Sequence, residues 1–332
     1  MLEDEVYDFI IVGGGPVGLH AGLKAALLNH TALVLDKGRK WCRIWYVPRV
    51  DNIPGFPDGI SGAELVNAGR EALKKYGKKV ELKDFYEVNS IEKGETYKVK
   101  TLNSRTNRTE VFESKAVILA TGISDNQPLI DGSIQHILPY AGKGLVHYCM
   151  FCDGHQMTGQ DVAVFGHTEF ALNTAMNLNW FDAKSVTMVT NGKEMFEDED
   201  LNEIEKKEQL DRLADHEVEI VTTEIASLFG LDDNVLGLKF TDGSERTFEA
   251  GMSALGVYRI NNELAALLGG KLDEEGYVVI DSDSRVLDSS GNPIEGLYAV
   301  GDVTNDWNQI PIGYGHAERA AIHAHSYLIQ SY

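Results

Sequence analysis

The chain has 332 residues, of which 43% are hydrophobic and 24% charged, as is typical of a globular protein long enough for two domains. Its formal net charge of −21 disfavours nucleic acids and anionic membrane surfaces as partners, and its short N-terminal apolar run predicts neither a secretory signal nor a membrane span. Three cysteines fit a reducing cytoplasm, where a Cys-x-x-Cys pair more often serves redox or metal chemistry than structure.

Residues 7–36 have the pattern of a strand, a glycine turn, a helix and a second strand. Gly13, Gly15 and Gly18 form a Gly-x-Gly-x-x-Gly motif, and Asp36 ends the second strand. Such glycines permit a tight turn, backbone approach to a pyrophosphate, and close packing of helix on strand. The helix N-terminus then faces the phosphates, and Asp36 can accept hydrogen bonds from ribose hydroxyls. The segment predicts a dinucleotide site.

The loop after Asp36 is basic and aromatic in an otherwise acidic chain. Its cations and large aromatic residues are Lys37, Arg39, Lys40, Arg43, Arg49, Trp41, Trp45 and Tyr46. Two interpretations stay open, namely a solvated loop whose aromatic rings pack on the core, or a docking surface for an acidic partner or a second planar cofactor. Cys42, within this loop, is predicted to be a packed thiol.

Cys149 and Cys152 form a Cys-x-x-Cys pair that can cycle between dithiol and disulfide, one thiolate attacking a substrate disulfide and the other resolving the mixed disulfide. Asp153 follows at once and suits proton transfer to a leaving thiolate. A zinc site would need two more ligands, which only His147 and His155 could supply nearby, and no second Cys-x-x-Cys exists. The sequence therefore predicts redox chemistry and no metal.

A second strand–turn–helix–strand pattern begins near Asp161, which suggests a second nucleotide-binding type of domain. Residues 194–215 are strongly charged and predict an exposed helical stretch with a solvated face. Strand-like runs over 115–122, 251–256 and 296–302 complete the α/β pattern.

The motifs "GGGPVG", "VDNIPGFPDGISGAEL", "VILATG", "CMFCDG" and "GLYAVGD" occur in the order and spacing of the low-molecular-weight thioredoxin reductases, and the chain resembles that family over nearly its whole length. The resemblance implies an α/β fold with two Rossmann-like domains, the second inserted in the first. The FAD-binding domain would comprise residues 1–120 and 251–332, and the central NAD(P)-type domain residues 121–250. A thioredoxin-like protein substrate and a homodimer are also implied.

The resemblance assigns roles to particular residues. By it, Cys152 would face the flavin and Cys149 would attack the partner protein. The counterpart of Asp302 binds the ribityl chain of FAD, and those of Gln309 and Ile310 touch the isoalloxazine ring, near Asn52. The whole expected FAD site comprises Gly13, Gly15, Pro16, Gly18, Asp36, Lys37, Arg43, Asn52, Ala120, Thr121, Gly122, Gly301, Asp302, Gln309 and Ile310.

The chain departs from the family at the second nucleotide site. The family has Gly-x-Gly-x-x-Ala there, followed by a His-Arg-Arg cluster after the next strand. Here Thr168 replaces the second glycine, Glu169 adds negative charge, and residues 190–200 contain no arginine. NADPH is therefore predicted to be an unfavourable donor. In relatives that lack this site, the donor is ferredoxin or a second FAD takes part of the vacated region.

These observations predict a cytoplasmic FAD-dependent disulfide oxidoreductase that passes electrons from a donor other than NADPH to the Cys149–Cys152 pair and on to a protein disulfide. One alternative is an oxygen-using oxidase of small dithiols, with His316 and Glu318 as a base pair. An alternative of another class is a non-catalytic flavin redox sensor.

Overall fold

The computed structural model describes residues 6–197 and 199–330 of the chain. Its strands up to residue 125 are β1 (Val6–Val12), β2 (Ala32–Asp36), β3 (Val80–Asp84), β4 (Tyr86–Lys93), β5 (Tyr97–Asn103), β6 (Arg108–Leu119) and β7 (Ile123–Asp125). The later strands are β8 (Val146–His147), β9 (Asp161–Phe165), β10 (Ser185–Val189), β11 (Glu219–Val221), β12 (Ile225–Phe229), β13 (Leu236–Phe240), β14 (Glu245–Phe248), β15 (Ala250–Ser253), β16 (Val257–Ile260), β17 (Arg285–Leu287) and β18 (Pro293–Ala299).

The helices alternate with these strands. They are α1 (Pro16–Leu27), α2 (Gly62–Lys74), α3 (Leu138–Gly142), α4 (Met150–Asp153), α5 (Glu169–Leu178), α6 (Glu203–Asp215), α7 (Glu263–Leu267) and α8 (Ile310–Gln330). Among the helices of the described residues, none combines the length and apolarity needed to cross a lipid bilayer.

The chain divides into two compact units. The first unit comprises the segment that ends at Tyr46, Asn52–Ser124 and the segment that begins at Arg259. The second unit comprises Val47–Asp51 and Asp125–Tyr258 and interrupts the first. The predicted α/β fold class, with two Rossmann-like domains, is confirmed.

The main sheet of the first unit has the strand order β17-β18-β6-β1-β2-β3. Strands β18, β6, β1, β2 and β3 run parallel, and β1 and β2 are buried apolar runs, as strands covered on both faces require. One apolar cluster packs α1 and α8 against one face of this sheet, and a second cluster covers the other face with residues of β5 and α7. The glycine turn between β1 and α1 therefore lies at the carboxyl edge of a parallel sheet, where ligands of such folds bind.

The second unit contains a parallel sheet of order β11-β10-β9-β15-β8 and an antiparallel sheet of order β12-β13-β14. Helix α5 packs its buried residues against the parallel sheet. The short strand β8 pairs with β15 at the end of this sheet and leads directly into the Cys-x-x-Cys segment.

The observed boundaries differ from those drawn on the sequence. The structure changes unit after residue 124 and after residue 258, rather than after 120 and 250. The later change has a clear cause, because β15 is hydrogen-bonded between β9 and β8 and so belongs to the central sheet. The short segment Val47–Asp51 also belongs to the second unit, which the sequence did not indicate.

The expectation of one exposed helical stretch over 194–215 is correct only for its second half. Helix α6 starts at Glu203 after an Asn202 capping box, and the described residues of 194–202 are not helical. That earlier segment is anchored by Phe196, whose side chain is fully buried in the core of the second unit. This segment is therefore anchored in the core and is not only a solvent-exposed face.

Candidate active site

Two glycines of the first turn are required by the protein itself. Gly13 has φ +118°, and a Cβ there would lie 2.2 Å from the carbonyl oxygen of Ala120. A Cβ on Gly18 would lie 2.0 Å from the carbonyl oxygen of Gly13, so any side chain would push α1 off the sheet. Both positions therefore need glycine for folding.

Gly15 is different, because a Cβ there would meet only the Cys42 sulfur, at an ordinary 3.7 Å. Its backbone is extended, with φ −72°, a conformation that other residues adopt. Pro16 occupies the first turn of α1, no side chain of the described residues caps the helix, and its first turn holds no acid. An open glycine at an uncapped helix N-terminus fits the approach of a phosphate.

Asp36 lies at the end of β2, as predicted, but its carboxylate is buried and already bound. Arg70 donates a hydrogen bond to it at 3.1 Å, and the backbone N–H of Gly38 donates another at 3.0 Å. Arg70 also pairs with Asp84, which is level with Asp36 on the neighbouring strand. Arg70 thus orients the carboxylate predicted to meet the ribose. The two carboxylates that end adjacent strands could have signalled the need for such a cation.

The structure brings together predicted FAD residues from opposite ends of the sequence. Nη1 of Arg43 lies 3.1 Å from Oδ2 of Asp302. Lys37 instead donates to Glu87 at 2.6 Å and lies over the Trp41 ring, 4.5 Å from its centroid. Arg43 and Asp302 can therefore contact a ligand together, as one ion pair. Lys37 lies within the basic loop and makes its contacts with other side chains.

Asn52 and Gln309 also meet in the first unit. The side-chain amide of Asn52 donates to Oε1 of Gln309 at 3.0 Å. The Oδ1 atom of Asn52 is buried without a hydrogen-bond partner among the described residues, as is Oδ1 of Asn308. A buried acceptor without a donor costs free energy, so both oxygens fit a ligand that carries N–H groups, such as an isoalloxazine ring.

The remaining predicted FAD positions line the end of β6 and the start of α8. Asn261 fixes the backbone that follows β6. Its side chain donates to the carbonyls of Thr121 and Gly122, and the Thr121 hydroxyl donates to the carbonyl of Asn261 at 2.6 Å. Gly122 has φ +65° with open space around it. Ala120 lies beneath the glycine turn, Gly301 faces Val17 of α1, and Ile310 begins α8.

Cys149 and Cys152 form a disulfide bond in the second unit. Cys149 caps the short helix α4, and its sulfur accepts the backbone N–H of Cys152 at 3.2 Å. Phe151, between the two cysteines, is 65% exposed, whereas Asp153 is 9% exposed. The tight turn of α4 is what allows the two sulfurs to meet across two residues.

The histidines considered as metal ligands face carboxylates instead. Nδ1 of His147 lies 3.2 Å from Oδ2 of Asp153, and Nε2 of His155 lies 2.8 Å from Oδ2 of Asp51. Over residues 6–197 and 199–330, no three or more His, Cys, Asp or Glu side chains are grouped so that they could hold a metal ion.

His316 and Glu318, the base pair of the alternative dithiol oxidase, do not face each other. Both residues lie on α8, but Nε2 of His316 is 3.1 Å from Asp306, and Glu318 binds His20 and Lys24 of α1. A spacing of two residues directs helical side chains to different faces, so each finds its own partner.

A family model described as pyridine nucleotide-disulphide oxidoreductase matches residues 7–321. The chain belongs to this family. The bifunctional thioredoxin reductase/thioredoxin of Mycobacterium leprae is 29% identical over 99% of this chain and 67% of its own length. The thioredoxin reductase of Listeria innocua is 27% identical over 98% of this chain and 95% of its own. The crystal structure of thioredoxin reductase from Streptococcus pyogenes has a TM-score of 0.80 at 27% identity, covering 98% and 99% of the two chains.

The protein is an FAD-dependent disulfide oxidoreductase of the thioredoxin reductase type. When bound, FAD supplies two-electron redox chemistry to such an enzyme. The residues present fit the cofactor, with Gly15 and the α1 N-terminus toward its phosphates and Asn52 and Asn308 toward N–H donors. Arg43 and Asp302 would hold polar groups between these ends.

The second glycine turn of the chain, before α5, differs from the first. Position 166 requires glycine, because a Cβ there would lie 2.5 Å from the Cβ of Ala171. Thr168 caps α5, its hydroxyl accepting the backbone N–H of Ala171 at 3.4 Å. The next N–H, of Glu169, donates to both carboxylate oxygens of Glu199, each at 3.0 Å. The N-terminus of α5 is therefore occupied by the chain's own oxygen atoms.

Proposed function

We propose that this protein is an FAD-dependent reductase of protein disulfides that uses Cys149–Cys152 as its redox pair and takes electrons from a donor other than NADPH. The observation that carries the proposal is the difference between the two Rossmann helices. The N-terminus of α1 has no side-chain cap among the described residues and no acid in its first turn. The N-terminus of α5 carries the Thr168 hydroxyl, the Glu169 side chain and the Glu199 carboxylate.

A dinucleotide pyrophosphate at α5 would have to replace the Glu199 carboxylate and approach Glu169. Both are negative, so each opposes the phosphates that a helix N-terminus otherwise attracts. The segment that supplies Glu199 contains Lys193, which lies 2.9 Å from Glu197. Recognition of a 2′-phosphate normally uses arginine, and residues 190–200 contain none. The charges around α5 therefore favour exclusion of NADPH.

The donor can be tested directly on the purified flavoprotein. Oxidised enzyme is mixed anaerobically with NADPH, then with NADH, while flavin absorbance is followed, and dithionite serves as the control that the flavin is reducible. We expect dithionite to bleach the flavin and micromolar NADPH to leave it oxidised. Rapid bleaching by NADPH would overturn the proposal and make this an ordinary pyridine-nucleotide-dependent reductase.

The basic loop offers a place for an acidic donor protein of the ferredoxin type. The Arg39 guanidinium lies over Trp45 at 5.3 Å, and the Lys40 ammonium lies over Trp41 at 5.3 Å. The Trp41 side chain is 60% exposed, so a charged and aromatic surface faces solvent on a chain of net charge −21. Electron transfer from such a donor should slow as salt is raised, and Arg39→Glu with Lys40→Glu should slow it further.

A second FAD stacked on the exposed Trp41 ring is the competing donor arrangement. Released flavin counted against protein distinguishes the two, because a second FAD requires two flavins per chain. We further propose a thioredoxin-like protein as substrate, a homodimeric assembly and a cytoplasmic location. Turnover of thioredoxin separates the reductase from a redox sensor, and oxygen uptake with small dithiols would instead indicate a dithiol oxidase.

A further inference from the structure

A buried imidazole faces the carboxylate beside the Cys149–Cys152 pair. Strand β8 ends at His147, and a single residue separates it from Cys149. Nδ1 of His147 lies 3.2 Å from Oδ2 of Asp153, and the two residues are only 8% and 9% exposed. The pair therefore belongs to the same short segment as the disulfide and is nearly shielded from water.

The burial of the Asp153 carboxylate is explained by its contact with the His147 imidazole. Burial of a carboxylate without a positive partner is unfavourable, and the neutral side-chain amide of Gln156, which donates to Oδ1 of Asp153 at 3.4 Å, supplies no charge. When one added proton is shared between the His147 imidazole and the Asp153 carboxyl, the two groups together carry no net charge. Histidine is the side chain that gains and loses a proton near neutral pH.

Two elements of the second unit flank the pair, β15 on the sheet side and the helical segment that begins with α4. On the sheet side, His147 is level with Met252 of β15, which carries no charge. On the α4 side, Gln156 also approaches Asp51, 3.5 Å from its Oδ2 atom. Asp51 is bound by Arg49 at 2.8 Å and by His155 at 2.8 Å, so its charge is balanced there.

We propose that His147 is a positioning residue for Asp153, and that the two act as one proton-holding couple for the Cys149–Cys152 pair. The proposal rests on the role proposed above for this pair in reducing disulfides. His147 holds the carboxyl group in place, and the proton passed to a leaving thiolate is held between the two side chains. Asp153 is the member of the couple adjacent to the cysteines.

The step is a thiol–disulfide interchange that needs no further oxidant or reductant. One thiolate of the reduced pair attacks a substrate disulfide, a bond forms between the two sulfurs, and the substrate S–S bond breaks. The electron pair of that bond goes to the leaving substrate sulfur, which takes the proton held by the couple. The second cysteine then loses its proton and attacks the mixed disulfide, the electron pair of that bond goes to the second substrate sulfur, and this sulfur takes up the proton. The pair becomes oxidised, and the substrate is released as a dithiol.

The test compares leaving groups of different basicity. An aliphatic thiolate leaves poorly without a proton, whereas an aromatic thiolate of low basicity leaves unaided. Holoenzyme reduced with dithiothreitol and desalted anaerobically is mixed with hydroxyethyl disulfide or with dithiobis-nitrobenzoate. Aliquots are quenched with N-ethylmaleimide, and mass spectrometry follows oxidation of the pair. No physiological donor is needed, so a failure of the NADPH proposal does not affect the result.

For His147→Asn and His147→Ala, we expect a loss of about 10-fold with the aliphatic disulfide and less than about twofold with the aromatic one, part of the roughly 10²–10⁴-fold that a positioned acid–base group contributes. In the wild type, the ratio of aliphatic to aromatic rates should fall as pH rises above neutrality. In the variants, this ratio should be low and independent of pH. Equal slowing of both reactions, or no slowing, would overturn the proposal.

Two further variants keep the test decisive. His155→Ala removes the neighbouring histidine, which faces Asp51, and should leave the ratio unchanged. The same selective loss in His155→Ala would contradict a specific role for His147. Asp153→Asn removes the carboxyl group of the couple. It should reproduce the selective loss even if a His147 variant fails to fold. An unchanged ratio in Asp153→Asn would also refute the couple.

Discussion

The carboxylate of Glu199 accepts the backbone N–H of Glu169 with both of its oxygens, each at 3.0 Å, and so covers the N-terminus of α5. A helix N-terminus attracts anions through its free N–H groups and its dipole. In this chain the anion is a side chain 30 residues further along the sequence. The backbone N–H at the N-terminus of α5 is therefore hydrogen-bonded without a phosphate.

Removal of this carboxylate should improve dinucleotide binding without producing a full NADPH site. Glu199→Ala frees one N–H, while Thr168 and Glu169 remain. We expect the dissociation constant for NADPH to fall about 5- to 10-fold, as for loss of roughly 1 kcal/mol of opposing interaction. Isothermal titration measures it, with Asp200→Ala, a nearby exposed carboxylate, as the control for net charge. Equal improvement in both variants would mean that only overall charge matters.

Two glycine substitutions should separate folding from cofactor binding. Gly15→Ala places a Cβ in ordinary contact with the Cys42 sulfur, so the stability of the flavin-free protein should stay within about 1 kcal/mol of wild type. Gly18→Ala forces the backbone apart and should cost at least about 3 kcal/mol. Flavin per chain and urea unfolding of flavin-stripped protein are the measurements. Full flavin retention by Gly15→Ala would contradict the phosphate role of the turn.

Cys42 should be unreactive in the native protein. Burial, and then the nearby Asp36 carboxylate, raise the pKa of the Cys42 thiol to about 11, so its thiolate fraction at pH 7 is only about one part in ten thousand. After reduction, iodoacetamide should alkylate Cys149 and Cys152 and spare Cys42. Peptide mass spectrometry checks this, and unfolded protein labelled at all three cysteines is the positive control. Equal labelling of native Cys42 would show that the loop around it opens.

The two cysteines of the pair should differ when replaced singly. In Cys152→Ser the resolving thiol is absent, so Cys149 should retain a mixed disulfide with thioredoxin. In Cys149→Ser the attacking thiol is absent, and little covalent complex should form. Non-reducing gel electrophoresis after incubation with oxidised thioredoxin distinguishes them. The reverse pattern would exchange the two roles, and full turnover by both variants would exclude catalysis by the pair.

Asp8 should stabilise the first unit at neutral pH. Burial acts to raise its pKa, but hydrogen bonds from Lys115, the Thr31 N–H and His30 outweigh this and lower the pKa of Asp8. A carboxyl with a depressed folded-state pKa contributes stability above its unfolded pKa of about 3.9, and loses it as pH falls through the folded value.

The corresponding variant is Asp8→Asn. We expect it to lower the free energy of unfolding by about 1–2 kcal/mol at pH 7, because the charge-assisted bond from Lys115 is lost. The difference from wild type should shrink as the pH is lowered to 3, because the Asp8 carboxyl of the unfolded chain then takes up a proton more readily than that of the folded chain. Urea unfolding at the two pH values measures this, and Asp211→Asn on the exposed face of α6 should change little at either. A difference that persists undiminished at pH 3 would rule out the charge as its origin.

Local patterns in the sequence were sufficient for much of the fold and for part of the site. The apolar runs around the glycine turn predict β1, α1 and β2, because strand burial and helix periodicity are read from neighbouring residues. The redox pair is likewise visible, because Cys149 and Cys152 are three residues apart and the short helix α4 brings them into bonding distance. Thr168 and Glu169, at the start of α5, are also visible in the sequence.

Only the tertiary structure decided which side chains meet across long stretches of chain. Arg43 and Asp302 are 259 residues apart and pair because β2 and β18 belong to one sheet. Arg70 reaches Asp36 because α2 packs beside the carboxyl ends of β2 and β3. Glu199 reaches α5 because Phe196 anchors its loop in the core of the second unit. The partner of a charged residue can be predicted from the sequence only when both residues lie on the same helix or strand. Pairs that are distant in sequence depend on how the sheets and helices pack.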